Sequence, residues 1–165
     1  MKKIGLLKEI SAGESRVAAT PETVTKFIKA EFAVHVESQA GLYSHITDAD
    51  YEKSGAVIEK NPEALLQQAD ILIKVNKPIF HEKKNYHEID LIKENSILVA
   101  PLFPLQHIDL IKQLNAKKIT AFATSSTSTQ GTFIRFPALL SAISFGVAPS
   151  NAASPSFIGV FTPVG

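Results

Sequence analysis

Ala69-Asp70-Ile71-Leu72-Ile73-Lys74-Val75 is an apolar run of strand length with an acid at its entrance and a lysine near its exit. An unbroken run of this kind is the mark of a parallel strand covered on both faces, because a half-solvated strand alternates apolar with polar residues. Similar short runs recur on either side, at residues 3–7, 33–37, 57–59, 97–101 and 119–123. Helix signals fall between them. Thr20-Pro21-Glu22 supplies an N-cap hydroxyl, a proline at the first helical position and an acid facing the helix dipole, and Val24, Phe27 and Ile28 follow as an apolar stripe ending near Glu31. Thr47-Asp48-Ala49-Asp50 reads as a capping box with Gly55 as the stop, and Asn61-Pro62-Glu63 opens a helix through Leu65 and Leu66. Leu105, Ile108, Ile111 and Leu114 predict a further helix, and residues 88–93 a short one. This βαβ rhythm predicts an α/β domain: a mostly parallel sheet with helices on both faces, three layers in all, either Rossmann-like or flavodoxin-like.

The chemistry of the opening run narrows the search for a site. A lysine closing a doubly covered strand is costly to bury, and open parallel sheets bind ligands beyond the carboxyl ends of their strands. Lys74 is therefore a candidate cation or proton donor facing a carboxylate, carbonyl or phosphate. The alternative is a strand-end lysine whose stem lies on apolar surface while its head reaches water. Arg16 lies in the loop between the first strand and the first helix, at the same edge if that strand is central, and arginine clamps carboxylates bidentately. Its alternative is an ion pair with Glu9 or Glu14, and Lys8 and Glu9 share that ambiguity.

Composition limits the rest. The 165 residues suit one domain; 17 basic and 16 acidic side chains leave a net charge of +1, without the basic footprint of a nucleic-acid binder. The absence of cysteine excludes disulfides and thiolate metal sites and suits a reducing compartment. The five histidines, at 35, 45, 81, 87 and 107, lack metal-type spacing and read as surface or structural, so no metal site is expected. No glycine-rich nucleotide fingerprint, P-loop or serine-hydrolase elbow occurs. The apolar start is cut by Lys8 and Glu9, and the longest uncharged stretch is broken by prolines, which predicts a soluble chain without a signal peptide or membrane span.

The pattern changes near residue 123. No acid follows Asp109, and Arg135 is the single charged residue after Lys118; residues 124–129 are all Ser or Thr. This divides the chain into a domain over 1–122 and an uncharged tail over 123–165 with no regular period and no assigned structure.

Four segments in order, Lys8-Glu9, the run from Gly13 to Pro21 (GESRVAATP), the run from Val36 to Leu42 (VESQAGL), and Ile73-Lys74-Val75-Asn76-Lys77-Pro78, resemble the N-terminal domain shared by alanine dehydrogenases and the alpha subunit of proton-translocating NAD(P) transhydrogenases. The resemblance covers about residues 1–122. It implies that Arg16 corresponds to the arginine holding substrate carboxylate in the dehydrogenases and Lys74 to their catalytic lysine. The dehydrogenases carry a catalytic histidine after the fifth major strand, whereas this chain reads Leu102-Phe103-Pro104-Leu105-Gln106-His107, with His107 too far along, so the resemblance is closer to transhydrogenase. It implies hydride transfer between NAD(H) and NADP(H), with this polypeptide belonging to the NAD(H) component and NADP(H) on a partner component. It further implies a homo-oligomer, membrane-embedded partner segments, and a cytoplasmic location at the inner face of the membrane through that partner.

Two departures qualify it. The family's second domain, with its glycine-rich pyrophosphate turn, is absent, so the chain is expected to be inactive alone. The family's Pro-Arg loop and the helix that touches NAD(H) are not reproduced in the tail, where Gln130 is the one residue that corresponds, as a cofactor contact. The tail is accordingly expected to be a frameshifted or otherwise aberrant translation, or the end of a pseudogene product. An alanine dehydrogenase fragment and a non-catalytic module binding an anion or partner through Arg16 and Lys74 are the other readings.

Overall fold

The computed structural model describes residues 1–124 and 158–161. Six parallel strands, β1 (Lys3–Leu6), β2 (Ala33–Glu37), β3 (Val57–Glu59), β4 (Ile71–Ile73), β7 (Ile97–Ala100) and β8 (Thr120–Thr124), form the body of one sheet. A seventh, β9 (Ile158–Phe161), runs antiparallel beside β8, and the spatial order is β3-β2-β1-β4-β7-β8-β9. Counting the parallel strands alone, the order is 3-2-1-4-5-6, the doubly wound Rossmann arrangement rather than the flavodoxin one. The order reverses between β1 and β4, so the two chain segments leaving those strands flank the crevice where such sheets bind ligands.

Alternation along each strand splits the core into two layers. Ile4 and Leu6 of β1, Val34 and Val36 of β2, and Ile71 and Ile73 of β4 face α1 (Pro21–Lys29) and α2 (Asp48–Lys53), packing on Val24, Phe27 and Tyr51. Leu72 of β4 and Leu98 and Ala100 of β7 face the opposite way, onto Leu65 and Leu66 of α3 (Pro62–Gln68), Ile89 of α4 (Glu88–Leu91) and Leu114 of α5 (Ile108–Ala116). Gly5 of β1 lets α3 approach: an added Cβ would lie 2.9 Å from the Ala69 Cβ. Caps fix the helix starts. Thr20 accepts the Thr23 N–H, Thr47 and Asp50 form a reciprocal capping box, and Asn61 accepts from Glu63 and Ala64; each such cap stabilises its helix by about 1 kcal/mol.

Four features depart from the sequence reading. Lys74 lies just past β4, although its N–H still donates to the Val99 carbonyl at 2.9 Å and extends the ladder by one bond. Leu105 is 93 % exposed in a turn before α5, because Pro104 interrupts the apparent helical stripe, and Ile108 is exposed as well. A two-stranded hairpin, β5 (Phe80–His81) with β6 (Tyr86–His87), occupies the connection between β4 and α4. Finally, residues 158–161 of the tail, where the sequence predicts no regular element, pair with β8 and cover its outer edge. Gln130 lies outside the described residues.

Candidate functional site

The chain leaving β4 and the chain leaving β1 meet at the reversal point. Alternation places Lys74 on the same side as Leu72, the side that α4 covers, and Glu88 is the first residue of that helix. The Lys74 ammonium donates to Glu88 Oε1 at 2.7 Å and stands 3.6 Å from Glu9 Oε2, and the three side chains are 1 %, 4 % and 3 % exposed. The head does not reach water, so the strand-end alternative for Lys74 is overturned. Each carboxylate has a second anchor. Glu88 Oε2 accepts the Ile79 N–H at 2.9 Å, and Glu9 Oε1 accepts the Val75 and Asn76 N–H groups at 2.7 and 3.4 Å. Two carboxylates face one ammonium, and the three backbone donors complete the partners that buried oxygens require.

Arg16 sits in the long β1–α1 connection, and the structure shows its ion-pair alternative with Glu14. Arg16 Nε and Nη2 donate to the two Glu14 oxygens at 2.9 and 2.7 Å, and the Arg16 backbone N–H adds a bond of 2.9 Å. The Arg16 guanidinium, first through its side-chain hydrogen bonds, holds the Glu14 carboxyl down at about 2, and Glu14 in turn raises the Arg16 value. Asn76 joins the two halves: its amide donates to Glu14 Oε2 at 3.0 Å while its backbone N–H points to Glu9. Lys74, Glu9, Asn76, Glu14 and Arg16 thus form one connected polar chain over the carboxyl ends of β1 and β4.

Glu37, at the end of β2, borders this network. Its carboxylate accepts the Lys8 N–H at 2.8 Å and fixes the exit of β1; burial pushes its pKa up, against the lowering effects of that N–H and of the nearby Lys74, Lys84 and Lys8 charges. The Lys8 ammonium lies 5.6 Å from the centre of the Tyr43 ring, over its face. Burial also raises Tyr86 of the hairpin to about 12, with Glu63, Glu88 and Glu37 adding to the shift.

Sequence reasoning singled out Lys74 and Arg16 and left Glu9 open, but missed Glu88, Asn76 and Glu37 as members of the site. A signal for Glu88 existed: a lysine buried at a strand exit needs an anion, and Glu88 is the acid that opens the next helix against apolar Ile89. His35 pairs with Glu59 at 2.8 Å, His87 Nδ1 accepts the Ile89 N–H at the start of α4, and His107 caps α5 by position without a side-chain bond. Among the described residues no group of three or more His, Cys, Asp or Glu side chains is placed to hold a metal ion, and no helix is long and apolar enough to cross a membrane.

Comparison with known proteins gives the same outline. The family model described as alanine dehydrogenase/PNT, N-terminal domain, matches residues 5–142. An NAD(P) transhydrogenase subunit alpha polypeptide of Rhodospirillum rubrum is 39 % identical over 121 residues, which are 73 % of this chain and 31 % of that protein. An alanine dehydrogenase of Methanococcus maripaludis is 39 % identical over 120 residues, again 73 % and 31 %. The crystal structure of a transhydrogenase from Sinorhizobium meliloti superposes with a TM-score of 0.65 at 31 % identity, covering 74 % of this chain and 34 % of that one. The chain spans about a third of the length of these relatives. A doubly wound sheet with its polar network at the strand reversal, and a family match over most of its length, make this chain a member of the alanine dehydrogenase/PNT N-terminal domain family.

Proposed function

We propose that this chain is the N-terminal portion of the NAD(H)-binding alpha subunit of a proton-translocating transhydrogenase, inactive alone and completed by a dinucleotide domain and by membrane-embedded partners at the cytoplasmic face. The observation that carries the choice is the exit of β7. There Pro101-Leu102-Phe103-Pro104 carries no histidine, and His107 stands at the N-cap of α5, so the segment after this strand lacks the imidazole acid–base group that an alanine dehydrogenase carries there.

The residues present do not fit a dinucleotide pyrophosphate. The β1–α1 connection, residues 7–20, contains a single glycine, Gly13, and the α1 N-terminus is satisfied by its own Thr20; a phosphate cradle needs free helix N–H groups and close backbone approach. What this chain offers at the crevice is the largely exposed Arg16 guanidinium, backed by a buried lysine that two carboxylates hold. Lys74 holds a cation at a defined point, Glu88 and Glu9 orient it, and burial keeps water from competing for it.

Alanine dehydrogenase is the second reading, favoured by one observation: the Arg16 fork already grips a carboxylate, that of Glu14. Calorimetric titration with pyruvate, and with NADH and NADPH, of the chain joined to its dinucleotide domain separates the two. Saturable NADH binding alone supports the transhydrogenase reading, pyruvate binding supports the dehydrogenase, and binding of neither leaves a non-catalytic module. Sequencing the locus gives an independent check, since the proposal expects a downstream region encoding a glycine-rich Rossmann turn. An intact frame that still encodes residues 125–165 overturns the aberrant-tail expectation.

A further inference from the structure

The last parallel strand, β8, reads the same in both directions: Thr120-Ala121-Phe122-Ala123-Thr124. Its Thr120 N–H donates to the Ser96 carbonyl at 2.9 Å, on the side of β7. The N–H and C=O of one residue leave a strand on the same side, and those of the next residue on the other. Phe122 and Thr124 therefore also turn these groups towards β7, while Ala121 and Ala123 turn theirs outwards. β9 meets that outward row, with Phe161 opposite Ala121 and Gly159 opposite Ala123. The two alanines thus supply the donors and acceptors that hold β9 in place.

Any antiparallel strand with a matching outward row fits the same edge, and β8 is itself such a strand. About a two-fold axis at Phe122, Ala121 of each copy faces Ala123 of the other, and each of these pairs exchanges two N–H···O=C bonds. Thr120 then faces Thr124, and Phe122 faces its own copy, so the palindrome puts like residues together at every position. The strand also lacks the charges and prolines that protect sheet edges. With no charge among its five residues, the axis brings no like charges into opposition. β9 runs antiparallel to β8, so the edge already receives a strand in the direction that the axis requires.

We infer that the outer edge of β8 is a pairing surface for a second copy of this chain, and that β9 is the cap that keeps it closed in the monomer. The two states exclude each other, because both use the outward N–H and C=O groups of Ala121 and Ala123. Release of β9 opens the edge, and pairing of two copies continues one sheet through the axis into the other. The surface lies two strands from β4 and does not depend on what binds at the crevice.

Sedimentation velocity over a concentration series tests this. Gly159→Pro removes the N–H that β9 offers opposite Ala123 and leaves the parallel strands untouched. The intact chain sediments mainly as a monomer, and Gly159→Pro self-associates at least about tenfold more tightly. Adding Ala123→Pro, which deletes an outward N–H and no bond to β7, returns that variant to the monomer, with circular dichroism showing that the helices persist. The chain has no cysteine, so Thr120→Cys combined with Thr124→Cys reports the register separately. Across the axis these positions stand about 4.5 Å apart at Cα, within disulfide reach, and an oxidised dimer accumulates slowly as β9 opens and at least about tenfold faster with Gly159→Pro. A Gly159→Pro chain that stays monomeric, association that survives Ala123→Pro, or a cysteine pair that never cross-links two chains overturns the inference. A dimer of the intact chain that Gly159→Pro abolishes overturns it too, since that result means exchange of β9 between copies.

Discussion

Replacing Lys74 by methionine keeps the length and apolar volume of the side chain and deletes its charge. Glu88 loses a partner at 2.7 Å and Glu9 one at 3.6 Å, in a place where all three side chains are almost fully buried. Glu9 retains two backbone N–H donors and Glu88 one, so neither becomes orphaned, but two carboxylates then share a buried site without a cation. Breaking a buried pair by removing one member costs about 3–5 kcal/mol. Against a total stability of about 5–15 kcal/mol, this lowers the melting temperature by on the order of 10–20 °C. Urea denaturation followed by circular dichroism, run as a double-mutant cycle with Glu88→Gln, measures it. The ion cluster predicts that the double variant is less destabilised than the sum of the singles, by at least about 1.5 kcal/mol. A Lys74→Met cost below about 1 kcal/mol, as for a solvated surface residue, or singles that add within about 0.5 kcal/mol, would refute the cluster.

Three other perturbations probe the fold around the site. Gly5→Ala inserts a methyl 2.9 Å from the Ala69 Cβ, and 3.2 and 3.3 Å from the Leu72 and Leu65 methyls; the Ala69 Cβ cannot rotate away, so the variant loses about 1–3 kcal/mol, and an unchanged melting temperature contradicts the close packing of β1 on α3. Arg16→Met releases the Glu14 carboxyl, whose folded value of about 2 lies below its ordinary 4.5. The stabilisation is therefore full above pH 4.5 and lost as pH falls towards 2; because Arg16 is largely exposed it amounts to about 1 kcal/mol, and urea titrations over that window should show a shallower acid loss in the variant. Tyr51, whose hydroxyl donates to the Ala19 carbonyl at 2.9 Å, is raised by burial to about 12. Its contribution is present below pH 10 and lost as pH climbs through 12, so Tyr51→Phe costs about 1 kcal/mol at neutral pH and removes that alkaline loss; equal alkaline profiles contradict it.

The parallel strands were legible because each is a short apolar run bounded by helix caps, and a buried strand has few other ways to look. Lys74 stood out for the same reason in reverse, as a charge where the pattern demands none. The hairpin β5–β6 was not legible: with two residues per strand there is no period to detect, and it is the hairpin that carries the chain round to present Glu88 to Lys74. Leu105 misled because spacing alone cannot distinguish a helix stripe from a turn that happens to repeat every three residues, although Pro104 marked the break. β9 was hidden by its surroundings: Ile158–Phe161 is an ordinary strand sequence within a Ser-, Pro- and Gly-rich tail, and its pairing depends on the free edge of β8, which lies more than thirty residues away in sequence. Asn76 stands within a recognisable motif, yet its role in joining Glu9 to Glu14 follows only from three-dimensional placement.

The central claim is that ligands meet this domain at the carboxyl ends of β1 and β4, where Lys74 and Arg16 share a polar network. Amide chemical-shift mapping of the 15N-labelled chain, joined to its dinucleotide domain, with NADH and with pyruvate tests it most directly. The account predicts that the perturbed amides cluster at residues 8–16, 74–79 and 88. Perturbations confined to the opposite edge of the sheet, around Lys3, Asp70 and Lys117, would contradict it.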